Sequence, residues 1–265
     1  MCPPQYFDVS YVINPWMNGN LHRVGYDRAK AQWAALHALI RGAAEVELID
    51  PAPGLPDMPF TANAGLVVGG RALVSTFRHP ERQTEEPHFE RWFRDHGYSV
   101  HKLERAISFE GAGDALLDRA RACIWMGYGH RTERQAAARI RQVFGLEVVP
   151  LQLTDPRFYH LDTCFCPLPR GYVMYFPQAF SEDSRALLRR RIPAGQSILV
   201  SEPDAGRFAC NAVNLGDQVI LNGASEALRE ALANAGFDTV ESSFSEFLRA
   251  GGASKCLTLR LEEAA

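Results

Sequence analysis

One pattern returns along this chain about every 45–50 residues, a period that belongs to propellers and repeat arrays. A short apolar strand, a tight Gly or polar turn and a second apolar strand occur at residues 65–75, 114–126, 163–175 and 211–221. Each reads as a hairpin. A fifth pair is expected from residues 257–261 and 6–13, which would close the two ends of the chain on each other. Each unit continues with an amphipathic helix, expected at 27–41, 84–96, 132–144, 181–192 and 224–235. Each helix leads into one more strand, at 46–49, 99–103, 146–149, 197–200 and 238–240. Polar residues open the helices and most end near a glycine, as capping favours. No linker or charge run interrupts the series, so residues 1–265 read as a single α/β domain.

Composition narrows the function. The chain is 46% hydrophobic and 22% charged with a net charge of −3, and acids and bases are mixed throughout. That balance lacks the basic stripe of a nucleic-acid binder. No apolar run approaches the roughly 18 residues of a membrane span. The N-terminus has neither a basic n-region nor an apolar h-region, so the expected location is cytoplasmic. Six cysteines in such a chain argue against a disulfide framework. Cys164 and Cys166 have no second Cys/His pair at zinc spacing, which disfavours metal.

The polar residues then fall into register. Just ahead of the first hairpin strand stand Asn63, Glu110, His160, Asn211 and Cys256. In a ring of units these positions converge, bringing a carboxylate, an imidazole, a thiol and two amides to one pocket. Cys256 follows Gly251-Gly252 and precedes an alternating segment, a setting expected to hold a thiol at the mouth of a strand. The alternative is a buried structural cysteine. Cys, His and Glu together point to covalent chemistry at an electrophilic carbon. A free thiol near pKa 8.5 is only slightly ionised at neutral pH, so something must stabilise its anion. Unit charges about 4 Å apart at an effective dielectric near 20 attract by about 4 kcal/mol, or roughly three pKa units. A cationic guanidinium substrate would supply that attraction. Glu110 would grip its planar fork, and His160 would protonate the departing amine and then activate water.

Four segments carry a resemblance: 56–65 (Pro-Asp-Met-Pro-Phe-Thr-Ala-Asn-Ala-Gly), 109–114 (Phe-Glu-Gly-Ala-Gly-Asp), 159–162 (Tyr-His-Leu-Asp) and 251–256 (Gly-Gly-Ala-Ser-Lys-Cys). Together they resemble the guanidino-modifying superfamily of deiminases, dimethylarginine dimethylaminohydrolases, amidinotransferases and arginine dihydrolases. The resemblance implies a five-bladed α/β propeller (pentein) of ββαβ units. It also implies a covalent intermediate on Cys256, with His160 and Glu110 as acid/base and guanidinium-binding partners. It implies no cofactor and no metal. The partner is a small guanidino substrate rather than nucleic acid or membrane, and self-association into a homo-oligomer is compatible with it.

Asn63 departs from the carboxylate typical of deiminases and dimethylaminohydrolases. With residues 1–4 and Ile13-Asn14-Pro15-Trp16-Met17, it looks most like the arginine dihydrolase branch, which releases ornithine, carbon dioxide and two ammonia. A dimethylaminohydrolase, a deiminase stopping at citrulline and a catalytically silent arginine-binding module are the alternatives. An amide both donates and accepts, so Asn63, and Asn14, which the resemblance places near the pocket, suit a guanidinium first and a ureido oxygen second. Arg82 and Arg131 are expected at the substrate carboxylate, Asp57 at a substrate nitrogen and Phe60 against the guanidinium face. Asp162 is a candidate to orient His160, and Asp114 reads as a turn residue. The stretches 18–20 and 127–129 are the expected gates.

Overall fold

The computed structural model describes residues 1–261. Regular structure begins with α1 (Tyr26–Arg41), whose buried Ala29, Trp33, Leu36 and Ile40 repeat at helical spacing. Gly69 and Gly70 then take φ of 57° and 71°, as a two-residue hairpin turn needs. They join β1 (Gly65–Val68) to β2 (Arg71–Val74), paired from Gly65↔Val74 to Val68↔Arg71. The chain crosses over through α2 (Pro80–Gln83) and α3 (Glu86–Asp95), and β3 (Ser99–His101) returns parallel to β2. A parallel neighbour requires such a crossover.

Three further units repeat this order. The second has β4 (Ala115–Asp118), β5 (Cys123–Tyr128), α4 (Ala136–Phe144) and β6 (Glu147–Gln152). The third has β7 (Phe165–Pro167), β8 (Val173–Tyr175), α5 (Glu182–Arg191) and β9 (Ser197–Leu199). After α6 (Glu202–Ala205), the fourth has β10 (Val213–Leu215), β11 (Gln218–Leu221), α7 (Glu226–Asn234) and β12 (Asp238–Glu241). A last short helix, α8, spans Ser245–Leu248. In all four sheets the first two strands are antiparallel and the third is parallel to the second. The mixed α/β class and the four internal hairpins agree with the sequence pattern.

The ends differ from expectation. Residues 6–13, 46–49 and 257–261 form no strand ladder among the described residues. The C-terminal segment meets the turn at Thr61–Ala64 instead: Ala62 N donates to Cys256 O at 3.1 Å and Thr61 Oγ1 to Leu257 O at 3.0 Å. Those carbonyls are then committed to a turn rather than to a neighbouring strand. Residues 43–60 contain four prolines, which lack the N–H a ladder needs. The second helix begins later than expected because Pro87 suits only its first turn. Cys256 therefore lies in a turn and not at the mouth of a strand.

Contacts between successive units place the short segments ahead of each hairpin against one another. Asn63 Nδ2 donates to Glu110 O at 3.3 Å, Leu161 N to Asp114 Oδ1 at 3.0 Å, and Asn211 Nδ2 to Asp162 O at 3.1 Å. Gly111 is decisive here. Its φ is +60°, and an added Cβ would lie 2.8–2.9 Å from Gly65 N, Ala62 O and Gly65 O. Gly111→Ala should therefore destabilise the chain by about 2–4 kcal/mol, combining left-handed strain with a backbone clash. Urea unfolding measures this, and a loss below about 0.5 kcal/mol would show the first two units are not packed this tightly.

Candidate active site

The five expected residues arrive on similar short segments. Asn63 lies in a 3-10 turn (Thr61–Ala64) ahead of β1, while Glu110 and His160 cap the turns Gly111–Gly113 and Leu161–Thr163. Asn211 precedes β10 and Cys256 sits in the turn after Gly252. All five are buried.

A cleft of about 250 Å³ is lined by Cys256, Asn63, Asn14, Asp57, Phe60, Arg82 and Arg131, together with Ile13, Met17, Tyr159 and Ala250. Seven residues expected from the sequence thus share one cavity. His160 and Glu110 are not among its lining residues and connect to it through Arg131. Glu110 Oε2 accepts from Arg131 NH1 at 2.8 Å and bonds His160 Nε2 at 2.7 Å. Its Oε1 accepts from Arg78 N at 3.2 Å. Burial alone would raise the Glu110 carboxyl, but Arg131 and His160 outweigh it and hold it below the usual range. Burial drives the His160 imidazole down to about 4 against the pull of Glu110, leaving it neutral and able to accept a proton at physiological pH.

The two arginines are already engaged. Arg82 spends Nε and NH2 on Glu85 at 2.9 and 2.7 Å, and NH1 on Asn63 Oδ1 at 2.8 Å. Arg131 NH2 donates to Ile13 O at 2.9 Å, and its guanidinium lies 4.7 Å from the centre of the Tyr159 ring. Asp57 is held on one side only. Tyr11 OH donates to Oδ2 at 2.9 Å while the buried Oδ1 has no partner. Burial raises the Asp57 carboxyl, with Arg82 and the Tyr11 bond pulling it back. Asn14 caps the turn at Pro15–Met17, its Oδ1 accepting from Trp16 N and Met17 N, and its Nδ2 donating to Ala250 O at 3.0 Å. Phe60 packs edge-on against Phe7 and Phe247.

Near the sulfur stand residues given other roles by the sequence pattern. Asp162 Oδ1 and Oδ2 lie 3.7 and 3.6 Å from Cys256 Sγ, so Asp162 contacts the thiol. Asn211 Nδ2 lies 3.0 Å from the same sulfur. Burial first, then Asp162, push the thiol well above its usual value; the Ala253 N–H, Asn211 and Lys255 pull the other way. Asp114 accepts from Leu161 N, and its second oxygen is buried without a partner. The sequence pattern assigns no site role to Tyr11, Glu85 or Tyr159. The only signal for Glu85 was its place three residues after Arg82, and for Tyr159 its place beside His160. Among the described residues no group of three or more His, Cys, Asp or Glu side chains could hold a metal, and no helix is long and apolar enough to cross a membrane.

A family model described as N,N dimethylarginine dimethylhydrolase, eukaryotic, matches residues 16–262. The chain belongs to this family. Among its relatives is the bifunctional arginine dihydrolase/ornithine cyclodeaminase ArgZ of Synechocystis sp., 53% identical over 263 residues, or 99% of this chain and 37% of the relative. The chain therefore spans little more than a third of that protein. The N(G),N(G)-dimethylarginine dimethylaminohydrolase of Mycobacterium tuberculosis is 41% identical, covering 98% of this chain and 84% of the relative. The crystal structure of the N-terminal domain of ArgZ bound to substrate, described as an arginine dihydrolase from the ornithine-ammonia cycle in cyanobacteria, matches with a TM-score of 0.98. It is 52% identical and covers 99% of this chain and 97% of that one.

The electrostatics of Asp162 make a testable prediction. Burial raises its carboxyl from 3.8 to about 7. The folded value is the higher, so the folded chain holds an extra proton within that window, and this stabilisation is lost as pH rises through it. Asp162→Asn should gain stability relative to the parent chain on going from pH 5 to pH 8, by on the order of 2–3 kcal/mol. Denaturant midpoints at both pH values measure it, and a difference that does not change with pH would refute the buried-carboxyl assignment.

Proposed function

We propose that this chain hydrolyses the guanidino group of arginine through a covalent Cys256 intermediate, and specifically that it is an arginine dihydrolase. The observation that carries this reading is the shared cleft, in which Cys256 accompanies Asp57, a buried carboxylate with one unpartnered oxygen. A cationic planar N–H donor satisfies that oxygen. The same cation beside the sulfur favours its ionised form, offsetting the burial that otherwise keeps the thiol protonated. Phe60 supplies an apolar wall, and the neutral His160 held by Glu110 is the proton carrier.

The chemistry balances with two waters. Thiolate adds to the guanidino carbon, one C–N bond breaks, and ammonia leaves with a proton relayed through His160. Water adds to the resulting amidino-thioether carbon, releases the sulfur and gives bound citrulline. A second thiolate attack expels the second ammonia. Water then frees the carbamate, which loses carbon dioxide to leave ornithine. The arginine dihydrolase name of the Synechocystis relative supports arginine as the substrate. The family model and the M. tuberculosis relative favour a second reading, in which the group leaving is a methylated amine.

The serial contacts of the units, closed by Ala62 and Thr61 on the Cys256 segment, support reading the fold as a single-domain five-bladed propeller, its fifth blade irregular. The proposed location is cytoplasmic. Arg82, engaged through Nε, NH1 and NH2, and Arg131, engaged with Glu110 and Ile13 O, serve in this reading by fixing Asn63 and Glu110.

Incubation with arginine, citrulline and dimethylarginine, with ornithine, citrulline, ammonia and dimethylamine quantified together, tests the assignment. Ornithine and two ammonia per arginine are expected, and Cys256→Ser should bind arginine but release neither. Saturable binding without ammonia from the parent chain would instead identify an arginine-binding module. Asn63 decides where the reaction stops. Its Oδ1 is fixed by Arg82, whereas Nδ2 makes only the 3.3 Å bond to Glu110 O and remains a donor for a ureido oxygen. Asn63→Asp should accumulate citrulline with ornithine output reduced about 100-fold or more, the scale of losing one positioned donor; undiminished ornithine would rule this out.

A further inference from the structure

Asn211 is 0% exposed and every polar atom of its side chain is spoken for. Its Oδ1 accepts from Ala253 N and Cys256 N, both at 3.1 Å. Two backbone N–H groups on one oxygen fix the orientation of the amide, because the flipped amide would face donor against donor. Nδ2 is thereby aimed at Cys256 Sγ, 3.0 Å away, with its second hydrogen on Asp162 O at 3.1 Å. The backbone carbonyl of Asn211 takes Ser254 Oγ at 2.7 Å and Lys255 N at 3.4 Å. One residue of the fourth unit thus organises the whole turn that carries the sulfur.

The surroundings of the sulfur are divided. A protonated thiol can donate to Asp162, whose two oxygens lie at 3.6 and 3.7 Å. Once the proton is gone, that carboxylate repels the anion. The Asn211 amide then offers a hydrogen bond that strengthens as charge develops, because a donor to the charged form favours that form. Lys255 is the cation on the sulfur's own turn, with Nζ 3.3 Å from Ala112 O. Tyr159, Asp57, Arg82 and Arg131 face the sulfur's cleft from the other units.

We propose that Asn211 is a catalytic residue, whose Nδ2–H receives the Cys256 thiolate while its Oδ1 holds the nucleophile's turn in place. This deepens the reading of Cys256 as nucleophile and rests on it. The residue occupies the fourth of the five equivalent positions, so its sequence signal was present although no role had been attached to it.

The test reads the thiol without any substrate. Iodoacetamide alkylation of Cys256 is followed from pH 6 to 11 by peptide mass mapping, which separates it from the other cysteines. In that reaction the S–C bond forms, iodide leaves and the thiol proton passes to buffer. Asn211→Asp keeps the acceptor and the shape but replaces the donor by an acid; Asn211→Ala removes both and adds no charge. Each should raise the midpoint of the alkylation profile by about one unit or more, a tenfold slower reaction at pH 8. On arginine, kcat should fall about 100-fold with KM within about threefold, as for an interaction made mainly in the transition state. A merely structural role would lower the melting temperature and raise KM while leaving the midpoint in place. A midpoint unchanged in both folded variants overturns the proposal. Failure of the parent chain to turn over arginine would overturn the substrate assignment alone, because the alkylation profiles judge Asn211 independently.

Discussion

The Glu110 carboxylate is the interaction on which the site depends. It is fully buried, and it stays charged only because Arg131, His160 and the Arg78 N–H meet its two oxygens from different parts of the chain. Burying such a group without partners is prohibitive, so the pairings must form together or not at all. Once formed, they fix the relative positions of the second and third units. They also tie both to the N-terminal loop, where Arg131 reaches Ile13 O. Arg82 does the same at the first unit, bridging Glu85, Asn63 and the Asp57 carbonyl. The pocket is therefore walled by charges already neutralised within the protein, and Asp57 Oδ1 is the carboxylate oxygen on its lining left for a ligand.

That arrangement gives the thiol a conditional reactivity. Burial and Asp162 favour the protonated Cys256 thiol. Under the proposed function, a planar cation would shift that balance from the cleft side, and Asn211 Nδ2 already lies 3.0 Å from the sulfur. His160 complements this by staying neutral, since burial outweighs the attraction of Glu110.

Much of this was legible in the sequence. The four hairpins and their crossover helices announced themselves because strand alternation, Gly turns and helical spacing are local signals. Asn63, Glu110, His160, Asn211 and Cys256 stood out because a repeat places equivalent residues at equivalent addresses. Tyr11, Glu85 and Tyr159 did not, since a buried partner is recognised only once distant segments meet. Asp162 looked like a partner for His160, its near neighbour in sequence, yet the backbone turn at Leu161–Thr163 carries its side chain to the sulfur. The terminal strands failed for a related reason: alternation at residues 257–261 promises a strand, but whether one forms depends on what the carbonyls find.

Sequence alone determined the unit: a hairpin, a helix and a returning strand, with a polar residue at each entrance. These follow from side-chain periodicity and turn chemistry within a few dozen residues. Only the tertiary structure decided which charges cancel, which carboxylate oxygen remains open and which groups touch the sulfur. Those outcomes depend on burial and on distances between residues far apart in the chain, where a shift of one ångström separates a hydrogen bond from an unsatisfied group.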